Sequence, residues 1–483
     1  MDAIIVGSGP NGLAAAVTLA RAGLSVRVYE GADTIGGGAR TAELTLPGFA
    51  HDVCSAVHPM AFSSPFFREF GLIDRVQLVA PEISYAQPLD GGRAAIAYRD
   101  LDRTAEELGR DGPAWRRLFG PLVEHVERVS EFSGASMLRI PRSPITAVRF
   151  GLRVLEQGSP AWNLRWREDA APALLTGVFS HTIQRMPSLG SAAAGLVLAT
   201  HAHAAGWPIP VGGSQAIVDA MADEVTALGG EIVTGTMVTS LDELPPARAV
   251  LLDTSTRAFL ELAGERVPKR YARRLNRFRF GNAAAKVDFA LSGPVPWAVP
   301  ELAAAGTVHV GGTRAELARA EADVADGRHP ERPYVLVSQP GVVDPGRAPG
   351  AQQTLWTYTH VPRGSTADVT EAITAQLERF APGFRDVVLA STITSAAELE
   401  RYNPNYVGGD IASGDVDVIQ LLARPVLSRH PWRTPVEGVY LCSAATPPGP
   451  GVHGMAGFHA AQLALRDRFG VREDAREKIG AVL

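Results

Sequence analysis

Apolar and polar positions along this chain fall into short blocks whose period switches between that of a strand and that of a helix. Residues 2–6 are a brief β-branched run, residues 13–22 carry helix-forming side chains, and residues 25–29 return to a strand pattern. Residues 100–132 read as two helices, with Leu118, Leu122, Val123, Val126 and Val129 near helical spacing. Further helices are predicted over 192–204 and 215–228, with Ser214 as the N-cap of the latter. Strands are predicted at 231–234, 237–239 and 249–253, then at 283–291, 334–338 and 354–358, with a helix over 366–380. A strand over 438–443 and a helix over 458–469 close the pattern.

Chemistry enters at the joints between these elements. The first strand runs into Gly7-Ser8-Gly9-Pro10-Asn11-Gly12, and the second strand ends on Glu30. In such a strand–turn–helix–strand unit Gly7 permits the turn, Gly9 lets the backbone approach a pyrophosphate and Gly12 lets the helix lie against the sheet. The helix N-terminus offers N–H groups to phosphates, and a carboxylate at Glu30 suits the hydroxyls of an adenosine ribose. The glycine-rich loop Gly36-Gly37-Gly38-Ala39-Arg40 follows, with Arg40 positioned to neutralise the same pyrophosphate. Ser55-Ala56-Val57 is a small-residue stretch suited to lie against a flat ring, and Val238 falls where backbone groups meet an adenine.

Gly449, Gly451 and Gly454 repeat the GxGxxG spacing, but proline fills that turn and no second βαβ unit follows. The loop from Ser443 through Gly451, Val452, His453, Gly454 and Met455 instead precedes a helix N-terminus. It is expected to aim N–H groups at the C2 carbonyl and N1 of a flavin, where negative charge collects on reduction. His453, beside that terminus, is expected to be a neutral imidazole able to accept a proton. The other reading of His453 is a hydrogen bond to the loop backbone.

Composition narrows the field. The chain has 483 residues, 46% hydrophobic and 20% charged, with a net charge of −5, which suits a large core and gives no footprint for nucleic acid. Cys54 and Cys442 are far apart and form no CxxC, which excludes a local redox dithiol and a thiolate zinc site. His201 and His203 have no metal-ligand partner at helical spacing. No signal-peptide pattern or long apolar run is seen, so a cytoplasmic location is the expectation. Residues 133–157 mix apolar side chains with Arg139, Arg142, Arg149 and Arg153. They read either as a helix covering the core with snorkelling arginines or as a surface in peripheral contact with a membrane.

The opening turn, Glu30, the loop to Arg40 and the block from Pro447 to Ala461 resemble the FAD-binding phytoene desaturase and flavin amine oxidase superfamily. Asn403-Pro404-Asn405-Tyr406-Val407-Gly408-Gly409-Asp410-Ile411 and Pro448-Gly449-Pro450-Gly451-Val452-His453-Gly454-Met455 are most similar to its phytoene-dehydrogenase-like branch. The resemblance implies an α/β chain in which a Rossmann-like FAD-binding domain of the glutathione-reductase type (1–61, 205–285 and 399–483) is interleaved with an α+β substrate domain (62–204 and 286–398). It implies non-covalent FAD and hydride transfer from a carbon of a mostly apolar polyene, isoprenoid or secondary metabolite to flavin N5. Oxygen, a quinone or another acceptor would reoxidise the flavin. Lys286 matches, by its strand context, the lysine that holds a water near N5 in amine-oxidase members; the other reading is a strand-edge lysine with a solvated head. The alternatives are an amine or amino-acid oxidase, disfavoured because Gly454 stands where such enzymes carry a cage aromatic, and a flavin-free escort-type binding protein.

Overall fold

The computed structural model describes residues 1–471, so the last part of the segment 399–483 lies outside the described residues. The opening run forms the strand Ala3–Val6, buried throughout, and the helix Pro10–Arg21 begins directly after the turn with proline in its first turn, where a missing N–H costs nothing. Ten of that helix's twelve residues are buried, from Asn11 to Ala20, so it is a core element rather than a surface one.

Five parallel strands form the first sheet, in the order Val439–Leu441, Ala249–Leu252, Ala3–Val6, Val26–Tyr29, Glu231–Val233. The central strand comes first in sequence and the edge strand last, with the closing helix Met455–Phe469 packed on the opening helix. The two helices touch so closely that a Cβ on Gly457 would lie 1.8 Å from the carbonyl oxygen of Asn11.

A second, seven-stranded sheet runs Val388–Thr394, Ala283–Leu291, Gln353–Val361, Val335–Ser338, Thr307–Val310, Ile83–Leu89, Arg93–Tyr98. Its neighbours pair antiparallel except Thr307–Val310 with Ile83–Leu89. The helices Gly112–Val123, Ala170–Phe179 and Leu189–Ala204 pack beside it around Trp115, Phe119, Leu174 and Phe179. The chain is therefore a mixed α/β protein with a Rossmann-like nucleotide-binding unit.

Several local expectations are revised. The region 100–132 holds three helices, Leu101–Glu107, Gly112–Val123 and Val126–Ser133, because Gly109 and Gly112-Pro113 interrupt the helical run. Residues 237–239 form no strand but a loop, in which Val238 is buried. The strand Ala283–Leu291 lies whole in the second sheet, so a boundary at 285/286 would cut it. Ser214 precedes the helix Gln215–Ala227 without capping it; its hydroxyl donates to the Ser55 carbonyl oxygen at 2.5 Å and meets His58 Nε2 at 2.8 Å.

Candidate functional site

One large cavity, of about 1280 Å³, runs from the opening glycine turn to the second sheet. It is larger than the ~300–1,000 Å³ of an ordinary ligand pocket, as a site for a dinucleotide and a further molecule requires.

Its nucleotide end is built by the turn. Gly7 adopts φ +99°, and a Cβ on Gly12 would lie 2.1 Å from the Gly7 carbonyl oxygen, so only glycine lets the helix begin this close to the strand. Gly7, Gly9, Pro10 and Asn11 line the cavity, whereas Gly12 sits behind them. Glu30 is fixed at the rim: Oε2 accepts from the Ser8 N–H at 3.0 Å and its hydroxyl at 2.5 Å, and Oε1 accepts from the Ala32 N–H at 2.9 Å. Arg40 is buried and faces Glu30 at 3.5 Å while donating to the carbonyls of Ile35 and Thr34. It braces its own loop and also lines the cavity at the nucleotide end. Gly37 and Gly38 line the wall and Ala39 is buried behind them.

A residue missed from the sequence lies under the turn. Asp253, directly after the strand Ala249–Leu252, accepts the Gly12 N–H through Oδ2 at 2.9 Å. Enclosure first, and the nearby Glu30 charge second, push its pKa up to about 7 against the opposing pull of the Gly12 N–H. A carboxyl half-protonated near neutrality adds little negative charge to a phosphate site. Tyr406 is the second: its Oη occupies the space where a Cβ on Gly38 would lie, at 2.1 Å.

The donor set fits a flavin dinucleotide. The opening helix has no side-chain cap from Gly9, so its N-terminal turn is open to the cavity apart from the Gly12 N–H held by Asp253 and the Leu13 N–H returned to Gly9. The buried Oδ1 of Asn11 and Oγ1 of Thr254, both on cavity-lining residues, have no hydrogen-bond partner among the described residues. Val238 lines the same end, and Ser55, Ala56, Val57, Ser443, Gly451, Val452 and His453 line the region beyond.

The closing loop differs from expectation. Gly454 and Met455 do not line the cavity; a Cβ on Gly454 would meet the Phe66 ring at 2.4 Å, and Met455 is in the core. The Met455 N–H, expected to face a flavin, is taken by His453 Nδ1 at 3.1 Å. Burial pushes the His453 pKa down to about 4, against hydrogen bonds to the Gly449 and Pro450 backbone that raise it. The imidazole is neutral as expected, but through burial rather than the helix dipole, and its nitrogens serve the loop. His453 is a helix cap, not a free proton acceptor.

Lys286 also departs from expectation. It does not line the cavity; its ammonium is ion-paired with Asp288, two residues along the same strand face. Asp288 Oδ1 stands 3.4 Å from His51 Nδ1, and the ammonium is 5.7 Å from the Trp356 ring centre. A lysine committed to a buried carboxylate is a structural cation.

The far end of the cavity is mainly apolar and aromatic, with Thr182 and Thr307 among its polar lining residues. Phe132, Phe150 and Val154 line the side near the helix Pro144–Gln157, and Leu336, Trp356 and Tyr358 form the sheet side, with His181 and Trp207 beside them. Trp356 and Tyr358 meet edge to face, 5.2 Å apart at 87°. The carboxylates lining the cavity are Glu30, Asp253 and Glu261, and all three belong to the nucleotide unit.

Comparison with known proteins agrees with this architecture. The family of NAD(P)-binding Rossmann-like domains matches residues 5–70. Pyridine nucleotide-disulfide oxidoreductase domain-containing protein 2 of Rattus norvegicus is 26% identical over 562 aligned residues, covering 96% of this chain and 93% of that protein. Among solved structures, a putrescine oxidase variant superposes with TM-score 0.61 at 17% identity, over 96% of this chain and 98% of the other. Cyclohexylamine oxidase from Brevibacterium oxydans gives TM-score 0.59 at 17% identity, over 96% and 99%. The full-length relative is named an oxidoreductase and both solved neighbours are oxidases; with them this chain shares a mixed α/β fold built on a Rossmann-like nucleotide-binding unit.

Proposed function

We propose that this chain is an FAD-dependent oxidoreductase, a dehydrogenase or desaturase, acting on an uncharged and mostly apolar molecule. The observation that carries this reading is the continuity of the cavity: the glycine turn and Glu30 at one end, an aromatic chamber without carboxylates at the other. Bound FAD would supply the hydride acceptor. The turn Gly7–Gly12 would hold its pyrophosphate, Glu30 its ribose hydroxyls and the Val238 loop its adenine. Ser55–Val57 and Gly451–His453 would orient the ring, and the apolar walls would exclude water from the reacting carbon. Oxygen, a quinone or another small acceptor would complete the cycle.

Amine oxidation is the second reading, favoured by the fold neighbours. It is weakened by the chamber itself: no carboxylate there meets a cation, and the perpendicular contact of Trp356 and Tyr358 leaves no slot between parallel rings. The escort-type reading requires a cradle that no longer holds flavin, whereas Glu30 and the turn are intact.

Substrate would enter past the helix Pro144–Gln157. Its inner face lines the cavity through Ala147, Phe150 and Val154, while Ile145, Val148, Leu152 and Leu155 are exposed on its outer face. Arg139, Arg142 and Arg149 stand among them with no ion-pair partner among the described residues. This combination suits docking on an anionic lipid surface; a second copy of the chain would bring the two arginine sets together.

The test is purification followed by anaerobic mixing. The protein is expected to be yellow with acid-releasable FAD, and Glu30→Ala is expected to lower FAD affinity at least about tenfold through loss of charge-assisted hydrogen bonds. Uncharged apolar metabolites should bleach the flavin and amines should not. Bleaching by amines alone, or a colourless protein that cannot be reconstituted, defeats the proposal.

A further inference from the structure

The chamber at the sheet contains a pair of histidines that the nucleotide site does not use. His181 lies in the turn Ser180–Thr182 after the helix Ala170–Phe179, and His309 is on the strand Thr307–Val310. Their Nε2 atoms are 2.9 Å apart, with the rings perpendicular at 89°. Trp207 packs edge-on against His181 at 5.7 Å. Burial lowers the pKa of His181 to about 3, with the nearby His360 adding to it, and burial with the neighbouring His181 lowers that of His309 well below the ordinary value. Both rings are therefore neutral, and the contact is one hydrogen shared between two imidazoles.

The remaining nitrogens differ. His309 Nδ1 is sealed in the interior with no hydrogen-bond partner among the described residues. His181 lines the cavity, and among the described residues no hydrogen-bond partner meets its Nδ1. Tyr358, on the adjacent wall, has no hydrogen-bond partner for its hydroxyl among the described residues, and burial pushes its pKa up, so it keeps its proton. The chamber thus offers an uncharged nitrogen and an uncharged hydroxyl in mainly apolar walls, where Thr307 Oγ1 and Trp356 Nε1 are further uncharged polar atoms with no hydrogen-bond partner among the described residues.

We propose that His181, oriented by His309, binds an uncharged oxygen, a hydroxyl or carbonyl, carried by an otherwise apolar substrate, with Tyr358 as the second polar contact. This deepens the reading of the cavity as the substrate site of an oxidoreductase and rests on it. A hydrocarbon would cover the His181 nitrogen and leave it unmet, which disfavours its binding. A cation would meet a neutral imidazole pair and no carboxylate. An oxygen satisfies the site in either arrangement of the shared hydrogen: a hydroxyl can donate or accept, and a carbonyl accepts from the Nδ1–H form. Sites built to hydrogen-bond a ligand oxygen discriminate strongly against analogues that lack it.

The experiment uses the FAD-loaded protein and one ten-carbon cyclic skeleton in four forms: hydrocarbon, alcohol, ketone and amine. Binding is read by titration calorimetry and by the perturbation of the flavin spectrum, neither of which needs turnover. The alcohol or the ketone should bind about tenfold tighter than the hydrocarbon, and the better of the two identifies the oxygen chemistry. His181→Phe should bring the oxygenated forms within about twofold of the hydrocarbon without weakening the hydrocarbon itself, and His181→Gln should restore part of the difference. Equal binding of hydrocarbon and oxygenated forms by the wild type, a preference that survives in His181→Phe, or tightest binding of the amine overturns the inference. Should His181→Phe fail to fold, the wild-type ranking and His181→Gln still decide. Tight but undiscriminating hydrocarbon binding with flavin reduction would remove this inference alone; failure to bind FAD, or to bind any of the four, would remove the proposed function with it.

Discussion

Asp253 Oδ2 accepts the backbone N–H of Gly12 at 2.9 Å, across a sequence separation of 241 residues. The carboxyl is held in the folded chain with a pKa of about 7 against 3.8 in its ordinary state. Between those values the folded protein keeps a proton that the unfolded chain releases. Its contribution to stability is therefore present at acid pH and lost as pH rises through about 7. Asp253→Asn is expected to melt higher than the wild type at pH 8, by an amount worth a few kcal/mol at most, with the difference shrinking toward pH 5. Thermal melts across that range check it; a pH-independent difference would mean that the carboxyl is ordinary.

Buried histidines impose the opposite slope. His58, His201, His203 and His453 all have their pKa lowered to about 4 by burial. Each must gain a proton on acid unfolding, so stability present above pH 6.5 is lost as pH falls toward 4. For His453 the cap adds a specific expectation: His453→Ala should cost about 0.5–2 kcal/mol, and His453→Asn, whose side-chain oxygen can also accept the Met455 N–H, should recover part of it. Flavin reduction with a pH profile unmoved by His453→Asn would agree with a cap, whereas a lost limb of the profile would restore a catalytic part for the ring.

Lys286 and Asp288 are a buried ion pair, and removing one partner leaves a stranded charge. Lys286→Met is expected to destabilise by about 3–5 kcal/mol. The double variant Lys286→Met with Asp288→Asn should regain much of that. Stopped-flow reduction and reoxidation on the double variant then separate the roles: rates near wild type mean structure, and slow rates in a stable protein mean that the ammonium acts on the flavin or its acceptor.

The outer face of Pro144–Gln157 predicts a surface behaviour. Ile140 is 86% exposed, Ile145 68% and Leu152 61%. Cosedimentation with vesicles containing phosphatidylglycerol should exceed that with phosphatidylcholine alone and fall with salt. Ile145→Ser with Leu152→Ser should abolish it without lowering the melting temperature. Unchanged vesicle binding in that variant, or a dimer that it dissociates, would reassign the face. No helix among the described residues is long and apolar enough to cross a membrane.

Short-range chemistry was legible in the sequence and long-range chemistry was not. Gly7, Gly12 and Glu30 sit within one βαβ unit, whose spacing alone fixes how they meet. Asp253 was open to the same reasoning, because an acid at the carboxyl end of a strand paired beside Ala3–Val6 must reach the turn, but the pairing itself was needed first. For His453 the pattern shows only its place beside the helix N-terminus; the contact of its Nδ1 with the Met455 N–H depends on the folded path of the loop. Lys286 and Asp288 lie two residues apart on one strand face, so their ion pair follows from the strand period once both residues are placed on it. The His181–His309 pair joins a helical turn to a distant strand, and nothing in either local pattern announces it.

The placement of Ala3–Val6 at the centre of its sheet has a consequence for biogenesis. Its neighbours on one side are supplied by residues 249–252 and, next to them, 439–441, while the opening helix is covered by 455–469. This βαβ unit therefore has its apolar faces completed only when nearly all the rest of the described chain has been made. Such non-local closure folds slowly and leaves aggregation-prone surface waiting. Flavin arriving at the finished cradle would act as a staple between the earliest and latest parts of the polypeptide, making cofactor supply during expression a determinant of yield as well as of colour.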